Sequence, residues 1–335
     1  MPVPTPQATW SWSGAWDAPE AASLHALDGI TMGTRWSVKL IARASALPML
    51  ERGIQARLDQ VVAQMSTWEA GSDLSRYNRS AAGSVQTLPA EFAEVMAAAL
   101  ALAADSDGAY DPTVGPLVDL WGFGPAGARA SAPDARTLAD AQTRVGWRRL
   151  RFDAAARTLE QPGGAYVDLS SIAKGYGVDR VADYLLEQGI ADCLVEVGGE
   201  LRGHGRKPDA TPWRVAVERP GGSEDEAAAV IALDGLAIAT SGDYRRFFDA
   251  DGRRYSHTLD PRSGQPIAHP LASVTVLHAQ CMQADALATA LTVLGAQAGM
   301  AYANRHGLAA LFVLREGEGF VTRTTPAFVA RQRSA

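Results

Sequence analysis

The second half of this chain consists mainly of short apolar strands, and this pattern restricts the fold most strongly. Beyond residue 190, six segments alternate or run apolar as β-strands do. These segments are 193–199, 213–219, 229–235, 236–242, 272–278 and 308–315. Two predicted helices, at about 281–296 and 296–306, interrupt them. Because parallel strands need a crossover for each pair, so few helices predict an antiparallel or mixed sheet flanked by helices, an α+β fold.

The first half is richer in helices and lacks the common nucleotide-binding patterns. No GxGxxG leads from a strand into a helix, and no GxxxxGK[ST] occurs. Helical spacing and end signals predict helices at 48–65, 89–106 and 168–189. The stretches 66–78 and 108–124 are polar or rich in Gly and Pro, and we predict loops there. The organisation is predicted as a flexible arm at 1–22 and one domain at 23–330, helix-rich to about residue 190.

Charge and cysteine content exclude several classes of protein. The 335 residues include 31 basic and 37 acidic side chains, giving a net charge of −6 without a basic block, so nucleic acid is not an expected partner. The two cysteines form neither a disulfide framework nor a zinc motif. The sequence predicts no membrane span, and its first twenty residues do not have the pattern of a signal peptide. As written, we expect a cytoplasmic chain; a start further upstream would allow a periplasmic or membrane-associated one.

One carboxylate and one hydroxyl share a face of the predicted helix at 281–296. Asp285 and Thr289 are four residues apart, one helical turn, in a segment of small apolar residues. Magnesium is commonly held by one or two protein oxygens, with water and substrate phosphates completing its octahedron. Alternatively, Asp285 caps the helix and Thr289 bonds back to a helix carbonyl, which is the commoner use of such residues. Spacing alone leaves both interpretations open.

The stretch VDLSSIAKGYGVDR, residues 167–180, has the features of a phosphate or ribose site. Asp168 is predicted to end a strand, and a helix N-terminus with two serines and Lys174 follows. The alternative is a capping Asp168 and a solvated Lys174. Gly175 and Gly177 favour a site, because two glycines in a helix indicate close approach of another backbone or a ligand.

His257 lies between a predicted strand and the Asp260–Gly264 turn. An imidazole there could serve as a general base, although a lone histidine is more often structural. Trp68 and Tyr110 lie in predicted loops, where aromatic rings can stack on a planar ligand or anchor the core.

Eight stretches follow the order found in the ApbE family, and the sequence resembles that family over residues 28–315. The stretches are MGT, STW with SDLSRYN, AYDPTVGPLVDLWGFG, DLSSIAKGYGVDRV, VEVGGELRGHG, ATSGDYRRFF, YSHTLDPRSGQP and ADALATALTVLG. The resemblance implies an α+β fold with a T-fold-like portion. It also implies an FAD:protein FMN transferase, which cleaves FAD with Mg²⁺, transfers FMN to a Thr or Ser hydroxyl of an acceptor flavoprotein, and releases AMP.

The resemblance assigns roles to individual residues. It implies that Asp285 and Thr289 are metal ligands, with a further oxygen from Ser171. It implies that His257 is the base that takes the proton from the acceptor hydroxyl. The positions implied to contact FAD are Met32, Trp68, Ala109, Tyr110, Asp111, Asp168, Lys174 and Thr258.

Two other functions are compatible with these residues. An FAD pyrophosphatase would use the same site to release FMN and AMP to water. A non-catalytic FAD-binding protein would need neither a metal pair nor a base, so Asp285, Thr289 and His257 count against it. The sequence identifies neither the acceptor protein nor the oligomeric state.

Overall fold

The computed structural model describes residues 20–129, 131–219, 227–243, 247–250 and 253–333. Its α-helices are α1 (Leu47–Met65), α2 (Asp73–Arg79), α3 (Ala90–Asp105), α4 (Gly115–Leu120), α5 (Ala135–Gln142), α6 (Ala173–Glu187), α7 (Cys281–Arg305) and α8 (Pro326–Arg333). Its strands are β1 (Ser23–Thr31), β2 (Thr34–Ala42), β3 (Val85–Thr87), β4 (Arg151–Asp153), β5 (Thr158–Glu160), β6 (Cys193–Val197), β7 (Glu200–His204), β8 (Trp213–Glu218), β9 (Ala227–Leu233), β10 (Leu236–Gly242), β11 (Phe247–Ala250), β12 (Arg253–Ser256), β13 (Leu259–Asp260), β14 (Gln265–Pro266), β15 (Leu271–His278), β16 (Ala309–Glu316) and β17 (Gly319–Thr324). Most of the predicted arm at 1–22 lies outside the described residues.

The main sheet is antiparallel throughout. Its strand order is β1-β2-β6-β7-β10-β15-β16-β17, and each neighbouring pair runs in opposite directions. The six strands predicted in the second half are present as β6, β8, β9, β10, β15 and β16. The predicted α+β class is therefore confirmed. The strands β1 and β2 join this sheet from the other end of the sequence.

The sheet is covered on both faces, and the alternation of residues in β16 shows how. Ala310 and Phe312 belong to the core cluster that includes α3 and α7. Leu311 and Val313 point to the opposite face, where they pack with the β8–β9 hairpin and with Phe328 of α8. A third cluster packs β2 and β6 against α1 and α6. The helices α1, α6 and α7 therefore lie on one face of the sheet.

The helices α6 and α7 pack antiparallel at the position of Gly175. A Cβ at Gly175 would clash with the carbonyl oxygen of Cys281 and lie 2.9 Å from Cβ of Asp285. A Cβ at Gly177 would meet only side chains, with Cε of Met32 at 3.1 Å. The first glycine is therefore required by the approach of another backbone, one of the two explanations expected from the sequence.

These contacts predict opposite effects for two neighbouring substitutions. We expect Gly175→Ala to lower the free energy of unfolding by about 1–3 kcal/mol, because the Cys281 backbone must move away. Gly177→Ala is the matched control: the flexible Met32 side chain can yield, and alanine favours a helix over glycine by about 1 kcal/mol. Urea denaturation of both variants tests this; equal stability of the two would show that the close approach has no energetic weight.

By length and composition, α7 could cross a membrane, because it has 25 residues and a mean hydropathy of 1.3 in its most apolar window. However, 61% of that window is buried inside the protein, and α7 packs against α6, β10 and β15. A buried core helix of a soluble protein can have the same length and composition, so this helix alone is weak support for a membrane span. A break at Gly295, with φ of 77°, divides α7 near the boundary predicted between two helices.

Several local predictions were wrong. Short helices occupy parts of both predicted loops, α2 within 66–78 and α4 within 108–124. The helix predicted at 168–189 begins only at Ala173, and its N-cap Ile172 supplies no side-chain hydrogen bond. Asp168 does not cap this helix, and it does not end a strand, because residues 165–169 form none. Its Oδ1 accepts from the N–H and the hydroxyl of Ser170, which closes a local turn.

Candidate active site

The structure places Asp285 at the junction of two helices. Its side chain projects from the second turn of α7 and is 6% exposed. The N–H of Gly175, in the first turn of α6, donates to its Oδ2 at 3.0 Å. Asp285 therefore does not cap its own helix, as the alternative interpretation expected; it accepts instead from a free N–H group in the first turn of α6. Burial raises the pKa of Asp285, and both Lys174 and the Gly175 N–H oppose that rise.

Lys174 and Glu200 complete a charged cluster with Asp285. The Nζ of Lys174 forms an ion pair with Oε1 of Glu200, at the start of β7. Burial disfavours the charge on Lys174, but Asp285 and Glu200 outweigh this effect and raise its pKa. Lys174 is therefore a permanent cation between two carboxylates. It is not the solvated residue of the alternative interpretation.

Glu200 has an unusual environment for a carboxylate. Its side chain is 4% exposed, and its Oε2 is buried without a hydrogen-bond partner among the described residues. A buried oxygen of this kind calls for a donor that the polypeptide does not supply, such as water or a ligand hydroxyl. Glu200 lies in the VEVGGELRGHG stretch, and none of the roles predicted from the sequence includes it. An acid directly after two glycines was the only signal available.

Glu200 makes the stability of the fold depend on pH. Burial raises its pKa from 4.5 to about 7, although Lys174 opposes the rise. The folded protein therefore binds this proton more tightly than the unfolded chain does. The contribution of this proton to the free energy of unfolding is fully present below pH 4.5 and is lost as the pH rises through about 7. We expect Glu200→Gln to remove this loss, and urea denaturation between pH 4.5 and 8 measures it; an unchanged slope in the variant would contradict the assignment.

Thr289 lies one turn after Asp285 and is half-buried. Among the described residues its hydroxyl has no hydrogen-bond partner, whereas Thr292 in the same helix donates to the carbonyl of Ala288 at 2.7 Å. The hydrogen bond from a threonine hydroxyl back to a helix carbonyl is thus made by Thr292, and the Thr289 oxygen is available to a ligand. Ser171, in the turn before α6, donates its hydroxyl to the Tyr110 oxygen at 3.3 Å.

Four predicted FAD contacts are buried: Ala109, Tyr110, Asp111 and Asp168. Burial raises the pKa of Tyr110, and the charges of Asp285, Asp168 and Asp111 raise it further, so these carboxylates all lie near this ring. Asp111 accepts from the N–H and hydroxyl of Thr113 and from the N–H of Trp147. These hydrogen bonds show that Asp111 stabilises the loop that follows α3, in which Ala109 is also buried.

Two predicted FAD contacts flank α1 in the sequence, Met32 before the helix and Trp68 after it. Met32 occupies the β1–β2 turn with φ of 47°, followed by Gly33 with φ of 70°, as a type I′ turn requires. Its side chain reaches the surface of α6 at Gly177. Trp68 follows the C-terminal end of α1 and is 62% exposed, which is unusual for tryptophan and leaves its ring open to stacking.

His257 lies at a bend between β12 and β13, as the sequence predicted. Its ring is half-buried and meets Phe123 edge-on, with 6.2 Å between the ring centroids. The next residue, Thr258, is buried; its N–H donates to the Ser256 hydroxyl, and its carbonyl accepts from Ile267. These bonds fix the backbone that carries the histidine. The structure thus groups Asp285, Lys174, Ser171, Tyr110 and Asp168, and positions His257 separately within an aromatic cluster.

The donors of this site suit a hard divalent cation. No three His, Cys, Asp or Glu side chains cluster as a metal site within the described ranges, so a zinc-type cage is not formed there. The available groups are the Asp285 carboxylate and the Thr289 and Ser171 hydroxyls, all oxygen donors. Such a set fits Mg²⁺, which keeps several waters and shares substrate phosphates.

Comparison with known proteins gives a consistent result. The sequence profile of the ApbE family matches residues 32–312. The FAD:protein FMN transferase of Haemophilus influenzae is 41% identical over 313 residues, covering 90% of each chain. The apo crystal structure of Pseudomonas stutzeri flavinyl transferase ApbE has a TM-score of 0.86 and 45% identity, covering 93% of this chain and 97% of that one. The flavin transferase ApbE from Vibrio cholerae has a TM-score of 0.85 and 39% identity, covering 92% and 99%. This chain therefore belongs to the ApbE family of flavin transferases.

Proposed function

We propose that this flavin transferase moves FMN from FAD to a Thr or Ser hydroxyl of an acceptor flavoprotein, with Mg²⁺ held by Asp285, Thr289 and Ser171. The observation that carries the metal proposal is the buried Asp285 carboxylate. Within the described residues only the Gly175 N–H bonds to it, which leaves Oδ1 for a cation. Lys174 acts on this carboxylate through its charge but makes no hydrogen bond to it, so Oδ1 of a buried carboxylate stays free to bind a cation.

Different residues of the chain would bind different parts of FAD. Lys174 brings a fixed positive charge beside Asp285, where it can offset the negative charge of the FAD pyrophosphate. Asp168 retains an oxygen, Oδ2, outside its local turn for a ligand hydroxyl. The exposed Trp68 ring would stack on a planar group, and Met32, the 109–111 segment and Thr258 would line the rest. Bound Mg²⁺ would neutralise charge on the pyrophosphate as the phosphorus is attacked.

His257 would supply the remaining chemistry. Its neutral imidazole would accept the proton of the acceptor hydroxyl while that oxygen forms a bond to the phosphorus of the FMN half. The bond between this phosphorus and the bridging oxygen breaks, and AMP leaves with that oxygen and the electron pair. The same site could use water as the nucleophile, which would give free FMN and AMP.

One assay distinguishes transfer from hydrolysis and from binding alone. The protein is incubated with FAD, Mg²⁺ and an acceptor domain, and covalent FMN is detected by in-gel fluorescence and intact mass while released AMP is quantified. The proposal expects a labelled acceptor and AMP in equal amounts, with no labelling when EDTA is present. AMP and free FMN without label would identify a pyrophosphatase. Bound, uncleaved FAD would identify a binding protein.

A further inference from the structure

We infer that Asp179, in the middle of α6, is a positioning residue that holds the metal-binding turn of α7 in place. This inference rests on the proposed Mg²⁺ site at Asp285. Asp179 is 7% exposed, and none of the predicted roles includes it. It contacts backbone atoms of the helix that carries Asp285, and its effect would pass through that helix.

Asp179 supplies the N-terminal cap that α7 lacks. Gln280, the N-cap residue, makes no side-chain cap hydrogen bond. Instead, the N–H of Cys281 donates to Oδ1 of Asp179 and the N–H of Met282 donates to Oδ2, both at 2.9 Å. One carboxylate thus satisfies the first two N–H groups of α7, and its negative charge lies at the positive end of that helix.

The two helices cap each other. Asp179 of α6 holds the first turn of α7, and Asp285 of α7 accepts from Gly175 in the first turn of α6. Donor and acceptor are four residues apart on α6 and three or four residues apart on α7, so the contacts form a closed loop. Because Asp285 lies one turn from the residues that Asp179 binds, a displaced first turn would shift the carboxylate that we assign to the metal.

Arg202 of β7 fixes Asp179 from the sheet side. Its Nη1 donates to Oδ1 of Asp179 at 2.9 Å and to Oδ1 of Asp183 at 3.1 Å. Asp183, one turn further along α6, is half-exposed and shares this arginine but makes no bond to α7 among the described contacts. The chain therefore offers a matched control: two aspartates on one helix face, paired with one arginine, of which only Asp179 reaches α7.

The test compares Asp179→Asn with Asp183→Asn in the full chain. Each α7 N–H bonds to a different oxygen of Asp179, so in asparagine the side-chain NH₂ takes the place of one acceptor and faces an N–H group. We expect the Mg²⁺ concentration for half-maximal FMN transfer to rise about 10- to 100-fold in Asp179→Asn, the usual cost of losing a group that orients a metal ligand. In Asp183→Asn it should change less than about twofold.

A second readout is independent of turnover. Binding of Mn²⁺, added as a paramagnetic probe in the presence of FAD, is followed through the loss of the free-ion EPR signal, and thermal melting reports the fold. Weaker Mn²⁺ binding in Asp179→Asn at unchanged FAD affinity supports the inference. If Asp179→Asn does not fold, Asp179→Glu, which keeps both oxygens but displaces them by one methylene, takes its place with the same expectation.

The outcomes separate this inference from the proposed function. If the wild-type protein needs no divalent cation, the proposed Mg²⁺ site is wrong. If the wild type depends on Mg²⁺ but the folded Asp179 variant has the metal response of wild type and of Asp183→Asn, then Asp179 only stabilises the fold and the inference is overturned.

Discussion

Asp285→Asn will reduce Mg²⁺-dependent FMN transfer at least about 10³-fold while the protein stays folded. Asparagine has the same shape and keeps an oxygen that can accept from Gly175, but it lacks the charge that binds a divalent cation. Losing roughly 4 kcal/mol of charge stabilisation in the transition state corresponds to a factor of about 10³. The rate of acceptor labelling at saturating FAD, measured across a Mg²⁺ series, checks this result.

Asp285→Ala separates the two roles of the carboxylate. It removes the charge and also leaves the Gly175 N–H buried without a partner, which costs about 1–3 kcal/mol. We therefore expect both variants to lose transfer but only the alanine variant to melt clearly earlier. Asp105→Asn is the control, because its carboxylate pairs with Tyr302 and His306 away from the site. Wild-type transfer by Asp285→Asn at the same Mg²⁺ concentration would rule out the metal assignment.

The sequence predicted the local half of this site. The spacing of Asp285 and Thr289 places them on one helix face because helical periodicity is a local property. The strand-rich second half predicted the antiparallel sheet for the same reason, because the alternation of apolar residues and the length of a strand are visible within a short stretch of sequence. The two glycines of α6 predicted a close approach, and the structure identifies the Cys281 backbone as the neighbour at Gly175.

The partners of these residues could not be read from the sequence. The N–H of Gly175 and the carboxylate of Asp285 are 110 residues apart in the chain, and only the packing of α6 on α7 brings them together. The same packing gives Asp179 its acceptors, 102 and 103 residues away. The short helices α2 and α4 were missed because their sequences favour turns, and buried side chains such as Leu74 and Leu117 stabilise them through tertiary contacts.

Replacing His257 by glutamine should slow FMN transfer by about 10²- to 10⁴-fold, the usual contribution of a general base. Glutamine keeps a polar side chain at the bend between β12 and β13 but cannot take a proton. The bonds that fix Thr258 involve backbone groups and the Ser256 hydroxyl, so the fold around position 257 should be retained. Affinity for FAD and the Mg²⁺ requirement should stay near wild type, in contrast to the Asp285 variants.

The pH profile distinguishes a base from a residue that only shapes the site. An imidazole base acts in its neutral form, so wild-type transfer should rise with pH as the ring loses its proton, and the rise should be absent in His257→Gln. His306→Gln is the control, because the His306 ring stacks on Tyr302 away from the site. Both rings line a cavity of about 250 Å³ between α3 and α7, on the opposite side of α7 from Asp285. If His257→Gln transfers slowly but keeps the wild-type pH profile, the proton goes to another acceptor and His257 serves only to shape the site. If AMP release persists at the wild-type rate without labelling, His257 is needed for the acceptor hydroxyl and not for cleavage of FAD.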